Sequence, residues 1–464
     1  MAAPDSLNTL RQVFEDFLRE ACALISGDDR LFVVLKALWV HIEGSLGPGG
    51  GSFSLETESR PRPILMTPAE RRVAALRTAD AAVEQLQAHP AGPDLLPPPN
   101  GRSADFEEAS YLRKTFLVGF LKRYLAVAKR ATYERSAFEE TFAALSAILN
   151  DRRVEERVLI PLVGLTWSCE GDAIPLSQET RVRRVTVADR EAMLNAVTDP
   201  VLGASRVPDG QSVLWVHAAV DARWRIPLHA PRLSQDRFEE AFDAVAALRL
   251  SAPGMISAHG CYASSPFLEW HTTSTTYTPL PFRAMSGFEA YDLTEERRES
   301  MRETFYSLRK LGPADRKGIG LAVDRFHRSF DVRQVEERVV DLIIALDSLV
   351  GSKGPASVHT VSVRLPLYVS ESGPARLRLS RLVREAYRLR SVIVHGGSAT
   401  PAPGGEFAHM TPAAFLTELE AATREALRRA IRDAGSGTRL VAEIPKYIDE
   451  ELILGGGAQG DDAH

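Results

Sequence analysis

Apolar positions recur at intervals of three and four over residues 6–45, with Leu10, Phe14, Phe17 and Leu18 in register, and that spacing predicts amphipathic helix. The pattern breaks at Gly47-Pro48-Gly49-Gly50-Gly51-Ser52, which predicts a flexible connector. Thr67 then reads as a helix N-cap, with Pro68 at the first helical position and Glu70 three residues on, opening a helix that runs toward His89. Five prolines between residues 90 and 101 predict loop, and residues 104–150 return to the helical period.

From about residue 156 the runs become short and β-rich: Val158 to Leu165, Thr180 to Val187, and Val213 to Val220. A mixed α/β domain accommodates them. Beyond residue 295 the helical period returns, with candidates near 295–312, 316–329, 331–350, 376–395 and 411–434, and a bundle is the packing that such helices find. In the third of these, Val332, Val335, Val339, Leu342, Ile343, Leu346 and Leu349 make one apolar face. Asp347 sits at the edge of that face. Glu336, eleven residues earlier, is close to three full turns away, so both carboxylates project to nearly the same side and are placed to line one cavity.

The chain of 464 residues is 44% hydrophobic, enough for packed cores and for two to four domains. The divisions expected are an N-terminal helical region with Pro/Gly-rich linkers over 1–100, a mixed α/β domain over 104–290, a helical bundle over 295–435, and a disordered Gly- and Asp-rich tail over 436–464. The fold class expected is α+β, mostly α. The longest nearly apolar stretches, such as Leu31 to Val40, contain a lysine and are too short to cross a bilayer, so no membrane association is expected. The sequence Met1-Ala2-Ala3-Pro4-Asp5-Ser6 lacks the basic start and apolar core of a secretory signal, which makes a cytoplasmic location the expectation. Cys22, Cys169 and Cys261 are scattered and odd in number, and are expected to be reduced and buried.

A net charge of −5 excludes non-specific coating of nucleic acid, which depends on broad positive charge. Of 56 basic residues, 48 are arginine, so arginine clusters carry less information here than in an average chain. No HxxxH or HExxH spacing occurs among histidines such as His41, His217, His259, His271, His327 and His359, which read as core or surface residues. Gly318-Ile319-Gly320 lacks the third glycine of a dinucleotide fingerprint, no Walker lysine follows a glycine cluster, and no Gly-x-Ser-x-Gly elbow is present. No cofactor or metal is expected.

The segment Tyr387-Arg388-Leu389-Arg390-Ser391-Val392-Ile393-Val394-His395-Gly396-Gly397 sets an arginine and a histidine five residues apart at a predicted helix end. A guanidinium stays charged and matches a phosphate with planar donors, while an imidazole moves a proton near neutrality. That pairing suggests phosphodiester chemistry. On an ideal helix the two lie about 140° apart, so they meet only if the end unwinds or a second subunit contributes. Arg381, Arg388 and His395 recur every seven residues with Arg384 beside them, forming a basic track to the imidazole or, more plainly, a solvated face.

This segment resembles the HEPN superfamily, in particular its Apea-like branch, whose signature is an Arg-x4-6-His motif closing a helix around an Arg-Ser-x-Ile-Val-His-Gly core. The resemblance extends to the acidic helix from Gln334 to Val350 and covers roughly residues 295–435; relatives often carry Glu where this chain has Asp347. A vaguer likeness, from Pro161-Leu162-Val163-Gly164-Leu165 to Arg183-Arg184-Val185-Thr186, is to regions upstream of HEPN domains and assigns no chemistry.

The resemblance implies a homodimer whose two motifs face each other across a two-fold axis, cutting RNA without a metal by attack of the ribose 2′-hydroxyl. It implies His395 as general base or acid and Arg390 as stabiliser of the pentacoordinate phosphate. Ser391 and Tyr387 would orient substrate or histidine, Asp347 would position Arg390, and Arg381, Arg384 and Arg388 would contact RNA. Residues 1–290 would then bind a trigger or regulator, in antiviral defence or in a regulated toxin. The alternative is a non-catalytic bundle kept for dimerisation and for RNA or protein binding, with an N-terminal sensor. Without the resemblance, the same pair is a helix-terminal histidine favoured by the macrodipole and a solvated arginine.

Overall fold

The computed structural model describes residues 4–27, 32–43, 54–65, 67–96, 107–186, 189, 218–227, 235–258, 260–264, 275–279, 291–332, 334–351, 358–397 and 400–453. The fold is α+β and mostly helical, as the periodicity predicts. Helix α1 (Pro4–Ser26) buries Leu10, Phe14, Phe17 and Leu18 along one stripe. It stops well short of residue 45. From Phe32 the chain is rich in β-branched and aromatic residues, and it forms an antiparallel hairpin of β1 (Phe32–Glu43) with β2 (Ser54–Leu65). The glycine-rich connector at 47–52 lies outside the described residues.

The helix expected from Thr67 to His89 is two helices, α2 (Thr67–Ala74) and α3 (Arg77–Ala88), broken where Leu76 turns extended at ψ 145°. The proline-rich stretch after it holds a 3₁₀ turn at Pro93–Leu95. Helices α4 (Glu108–Tyr111), α5 (Val118–Ala128) and α6 (Arg135–Asp151) follow, with a π-turn at Leu112–Leu117 between the first two.

Antiparallel strands then assemble in the order β10-β9-β3-β7-β6-β5, with β8 also on β3. They are β3 (Arg153–Val163), β5 (Ala173–Pro175), β6 (Thr180–Arg184), β7 (Ala218–Pro227), β8 (Ser257–Ala258), β9 (Gly260–Ser264) and β10 (Thr275–Pro279). Strand β6 starts at Thr180 as predicted but ends at Arg184, and β7 continues past the predicted Val220 to Pro227, residues 187 and 213–217 lying outside the described set. Between β3 and β4 (Leu165–Trp167) the chain turns at Gly164, where φ is +83° and a Cβ would sit 2.3 Å from the Met255 carbonyl oxygen; only glycine fits. Strand β4 pairs in parallel with β11 (Tyr291–Leu293).

Helix α7 (Gln235–Ser251) crosses the sheet and packs on α8 (Glu295–Lys310), the first helix of the bundle. The bundle continues with α9 (Pro313–Asp331), α10 (Val335–Val350), α11 (Val358–Val369), α12 (Gly373–Val394) and α13 (Pro412–Gly435). In α10, Val339, Leu342, Ile343, Leu346 and Leu349 are buried, the stripe the spacing predicts. Helix α11 carries Pro366 in its interior and had no counterpart among the expected helices. The expected disordered tail is corrected as far as Ile453: α14 (Ile444–Ile453) buries Ile444 and Ile448 against the bundle, and Arg364 of α11 holds Asp449 at 2.7 Å. Residues 454–464 lie outside the described set. The three cysteines are buried and unpaired, and among the described residues no helix is long and apolar enough to cross a membrane.

A chain of buried charges ties these layers together. Arg338 of α10 donates to Glu420 of α13 at 2.9 Å, and Arg424, one turn on, bonds the other Glu420 oxygen. Arg424 Nε donates to the Arg249 carbonyl at the end of α7 (3.0 Å), while the Arg249 guanidinium pairs with Asp331 of α9 (3.0 Å). Burial pulls the Arg338 and Arg249 guanidiniums below the usual arginine range, opposed by Glu420 and Asp331 respectively. Removing the shared carboxylate strands two buried cations. Glu420→Ala is therefore expected to cost about 3–5 kcal/mol in urea unfolding, and Glu420→Gln, which keeps one acceptor oxygen but sets an amide NH2 against the other guanidinium and removes the charge, somewhat less; sub-kcal losses for both variants would contradict this account.

Candidate functional site

Helix α12 buries Leu382, Val383, Ala386, Tyr387 and Leu389 against the bundle, which rolls Arg381, Arg384, Arg388 and Ser391 outward. Arg390, half-buried at the seam, reaches across to α10, where its Nη1 lies 3.4 Å from Asp347 Oδ2. The Tyr387 hydroxyl donates to Asp347 Oδ1. Asp347 is thus shared by the two α12 side chains, three residues apart on one face. Burial raises its carboxyl above the ordinary aspartate value, against the lowering effect of Tyr387 and of Arg390. Burial and the adjacent carboxylate together push the Tyr387 phenol up, so it stays protonated and remains the donor.

The helix ends in a Schellman motif. Gly396 takes φ +86°, its N–H bonds Ile393 O (2.9 Å), and the Gly397 N–H bonds Val392 O (2.9 Å). His395 is the C-cap residue, with φ −92° and ψ 15°. Its imidazole is exposed, next to Val394, which is 68% exposed. Because α12 stays helical through Val394, Arg390 and His395 keep the ~140° separation of an ideal helix. Among the described residues no hydrogen bond or ion pair joins them.

The arginine track is largely spoken for. Arg388 makes a two-pronged pair with Glu385 (2.7 and 2.9 Å) and donates to the Thr400 carbonyl; Arg381 pairs with Glu406 (2.9 Å); Arg384 Nε is 3.5 Å from Ser362 Oγ. The Arg388 hydrogen bond holds the Glu385 carboxyl below its ordinary value. Exposed pairs of this kind are worth ~0–1 kcal/mol, so a phosphate can displace them. Glu336 does not join Asp347 in one cavity: it opens α10 and Asp347 closes it, about 16 Å apart along the axis.

One cavity, of about 430 Å³, lies away from these residues, between α7 and α9. Phe242, Val245 and Val332 give it apolar walls, and Arg249, His327 and Asp331 line it as well. Arg249 Nη1 is 2.9 Å from His327 Nδ1; a guanidinium only donates, so the imidazole proton is on Nε2. Burial, then the Arg249 charge, holds His327 well below its ordinary value, and the ring is neutral. No local sequence pattern signals this cavity, since Arg249 and His327 are 78 residues apart.

Among the described residues no group of three or more His, Cys, Asp or Glu side chains is arranged to hold a metal ion. Compared with protein-family models, with curated proteins and with solved structures, the chain matches none.

The raised Asp347 value fixes the sign of its contribution to stability. The folded state binds the proton more tightly than the unfolded one, so stability falls as pH rises from the ordinary value of 3.8 through the raised folded value. Asp347→Asn is expected to be at least as stable as the wild type at pH 7 in urea titrations, with the difference shrinking as pH falls toward 3.8. A variant markedly less stable at pH 7 than at pH 4 relative to wild type would reverse the sign and contradict it.

Proposed function

We propose that the chain is a metal-independent endoribonuclease of HEPN type, acting in antiviral defence or as a regulated toxin. The observation that carries the reading is the end of α12: Arg390 held by a half-buried carboxylate, and five residues later an exposed imidazole on a backbone fixed by a glycine cap. Those positions are the ones the Arg-x4-6-His motif requires. A single chain keeps Arg390 and His395 on different sides of the helix. The site is therefore read as composite, with two α12 ends meeting across a two-fold axis. The exposed apolar side chain of Val394 at the end of α12 suits such a contact.

In that cleft His395 takes the proton from the ribose 2′-hydroxyl, the 2′-oxygen forms a bond to phosphorus, and the bond from phosphorus to the 5′-oxygen breaks. The partner's imidazole, as imidazolium, protonates the leaving 5′-oxygen. Arg390 donates to the non-bridging oxygens as negative charge builds on them. Asp347 acts on Arg390 rather than on substrate, and the 3.4 Å contact occupies one edge of the guanidinium, leaving its other donors for phosphate. The products are a 2′,3′-cyclic phosphate and a 5′-hydroxyl. Tyr387 and Ser391 help to orient the ends, and Arg381, Arg384 and Arg388 guide RNA by exchanging their acidic partners for phosphate.

The separation of Arg390 from His395 and the neutralised track favour a second reading, a non-catalytic dimerisation and RNA- or protein-binding module. RNA cleavage in EDTA with end-group analysis separates the two. His395→Ala is expected to lower the rate by ~10²–10⁴-fold and Arg390→Ala by ~10²–10³-fold, with cyclic phosphate ends from the wild type. Cleavage that needs added magnesium, or that survives His395→Ala, would leave the module as the better description.

A further inference from the structure

One face of the sheet is covered by α7, where Thr180 Oγ1 donates to Glu240 (2.7 Å), Arg237 pairs with Glu156, and Val158, Ile160, Val182 and Val220 are buried. The strand register sends a different set of side chains to the opposite face. Arg157 stands across from Arg223, and Arg181 across from Asp221, with Arg183 two residues along on the same side.

Four guanidiniums there converge on two carboxylates. Asp221, fully buried, accepts from Arg157 Nε (2.6 Å), Arg183 Nε (2.5 Å) and Arg223 Nη2 (3.2 Å). Asp189 accepts from Arg157 Nη2 (2.6 Å), from both terminal nitrogens of Arg183 (2.7 and 2.8 Å) and from Thr186. Glu155 approaches only Arg223, at 3.4 Å and largely in solvent. Among the described residues, four positive charges thus face two buried negative ones. The acceptor oxygens of Asp189 and Asp221 are already taken up by other donors. Arg181 is the least well served: its Nε forms only a long ion pair with Asp221 at 3.6 Å, beyond hydrogen-bond length, and among the described residues that buried nitrogen has no hydrogen-bond partner.

Hydrogen bonds and charge from these arginines hold Asp221 down to about 2 and Asp189 well below the aspartate range, against the cost of burial. Neither carboxylate therefore gives up its charge near neutrality, and neither can serve a further donor. A desolvated donor without an acceptor, in a cluster with surplus positive charge, is costly unless an anion arrives. The arginines nearest to solvent are Arg181, 41% exposed, and Arg223, 34% exposed, so an anion can enter beside them. Planar guanidinium donors set side by side match the tetrahedral oxygens of a phosphate.

We propose that this sheet face is a phosphate-binding site, with Arg181 and Arg223 as its direct ligands and Arg157, Arg183, Asp189 and Asp221 as the frame that holds them. The phosphate comes either from a small phosphorylated molecule or from a polynucleotide backbone. The site stands whether or not the bundle cuts RNA.

The test is equilibrium binding to the full chain, by calorimetry at matched ionic strength, with three probes: inorganic phosphate, adenosine 5′-monophosphate, and a short oligodeoxythymidylate that lacks the 2′-hydroxyl. Arg181→Gln is compared with wild type, both checked by thermal unfolding in chloride alone. Loss of affinity of about tenfold or more in Arg181→Gln for the first two probes assigns the site to a small phosphorylated ligand. The same loss for the oligonucleotide alone assigns it to a polynucleotide backbone. Equal affinities of wild type and variant for every probe, or no binding of any probe by wild type, overturn the proposal. If Arg181→Gln does not fold, Arg181→Lys, which keeps the charge and loses the planar donors, is read by the same criteria.

Discussion

The contact on which the rest of the fold depends is a single buried carboxylate, Glu420, held between Arg338 and Arg424. Through Arg424 it reaches the last turn of α7, and from there the Arg249 guanidinium reaches α9. Four helices are positioned by one line of charge, and none of the links tolerates loss of a partner, because each would leave an ion out of water. The consequence for the candidate site is direct. Helix α10 carries both Arg338 and Asp347, so the register that satisfies Arg338 at one end also sets where Asp347 meets α12 at the other.

Arginine suits this construction better than lysine. A planar guanidinium with five donors bridges two acids at once, as Arg157 and Arg183 do between Asp189 and Asp221. In a chain where 48 of 56 basic residues are arginine, buried bridges of this kind become available on the sheet and in the bundle alike. The two networks differ in balance. Glu420 is shared by two arginines that also reach Met255 Sδ and the Arg249 carbonyl, whereas among the described residues the sheet face gathers four guanidiniums around two buried carboxylates.

Much of the bundle was legible because its helices are amphipathic with long repeats, as the stripe from Val339 to Leu349 illustrates. Helix α11 was not, since its run of valines and Pro366 count against helix locally; burial of Val361, Leu365 and Tyr368 overrides that propensity. The β1 segment misled in the opposite direction, because a run apolar at most positions satisfies helical and strand templates equally. Helix α14 hid behind a glycine-rich neighbourhood that reads as tail. At the site, the closeness of Asp347 to Arg390 followed from the resemblance, but the Tyr387 bond to the same carboxylate depends on how α12 rolls on α10. The sheet cluster joins residues 157, 183 and 221 through strand register and adds Asp189 from beyond the end of β6, and no local pattern encodes it.

The cap of α12 gives the geometry its limits. A helix that frays at His395 would let the imidazole swing toward Arg390 within one chain. The Schellman bonds from Gly396 and Gly397 oppose that, and a side chain on Gly397 would meet Val392 at 2.3 Å, so the tight end is built into the sequence. A rigid end that keeps base and cation on different sides of a helix has no catalytic use in isolation. In the proposed composite site a second copy would supply the missing group, with both ends fixed before substrate arrives and little ordering left for the transition state. If the bundle works as proposed, the same rigidity would make cleavage depend on how two bundles are set against each other.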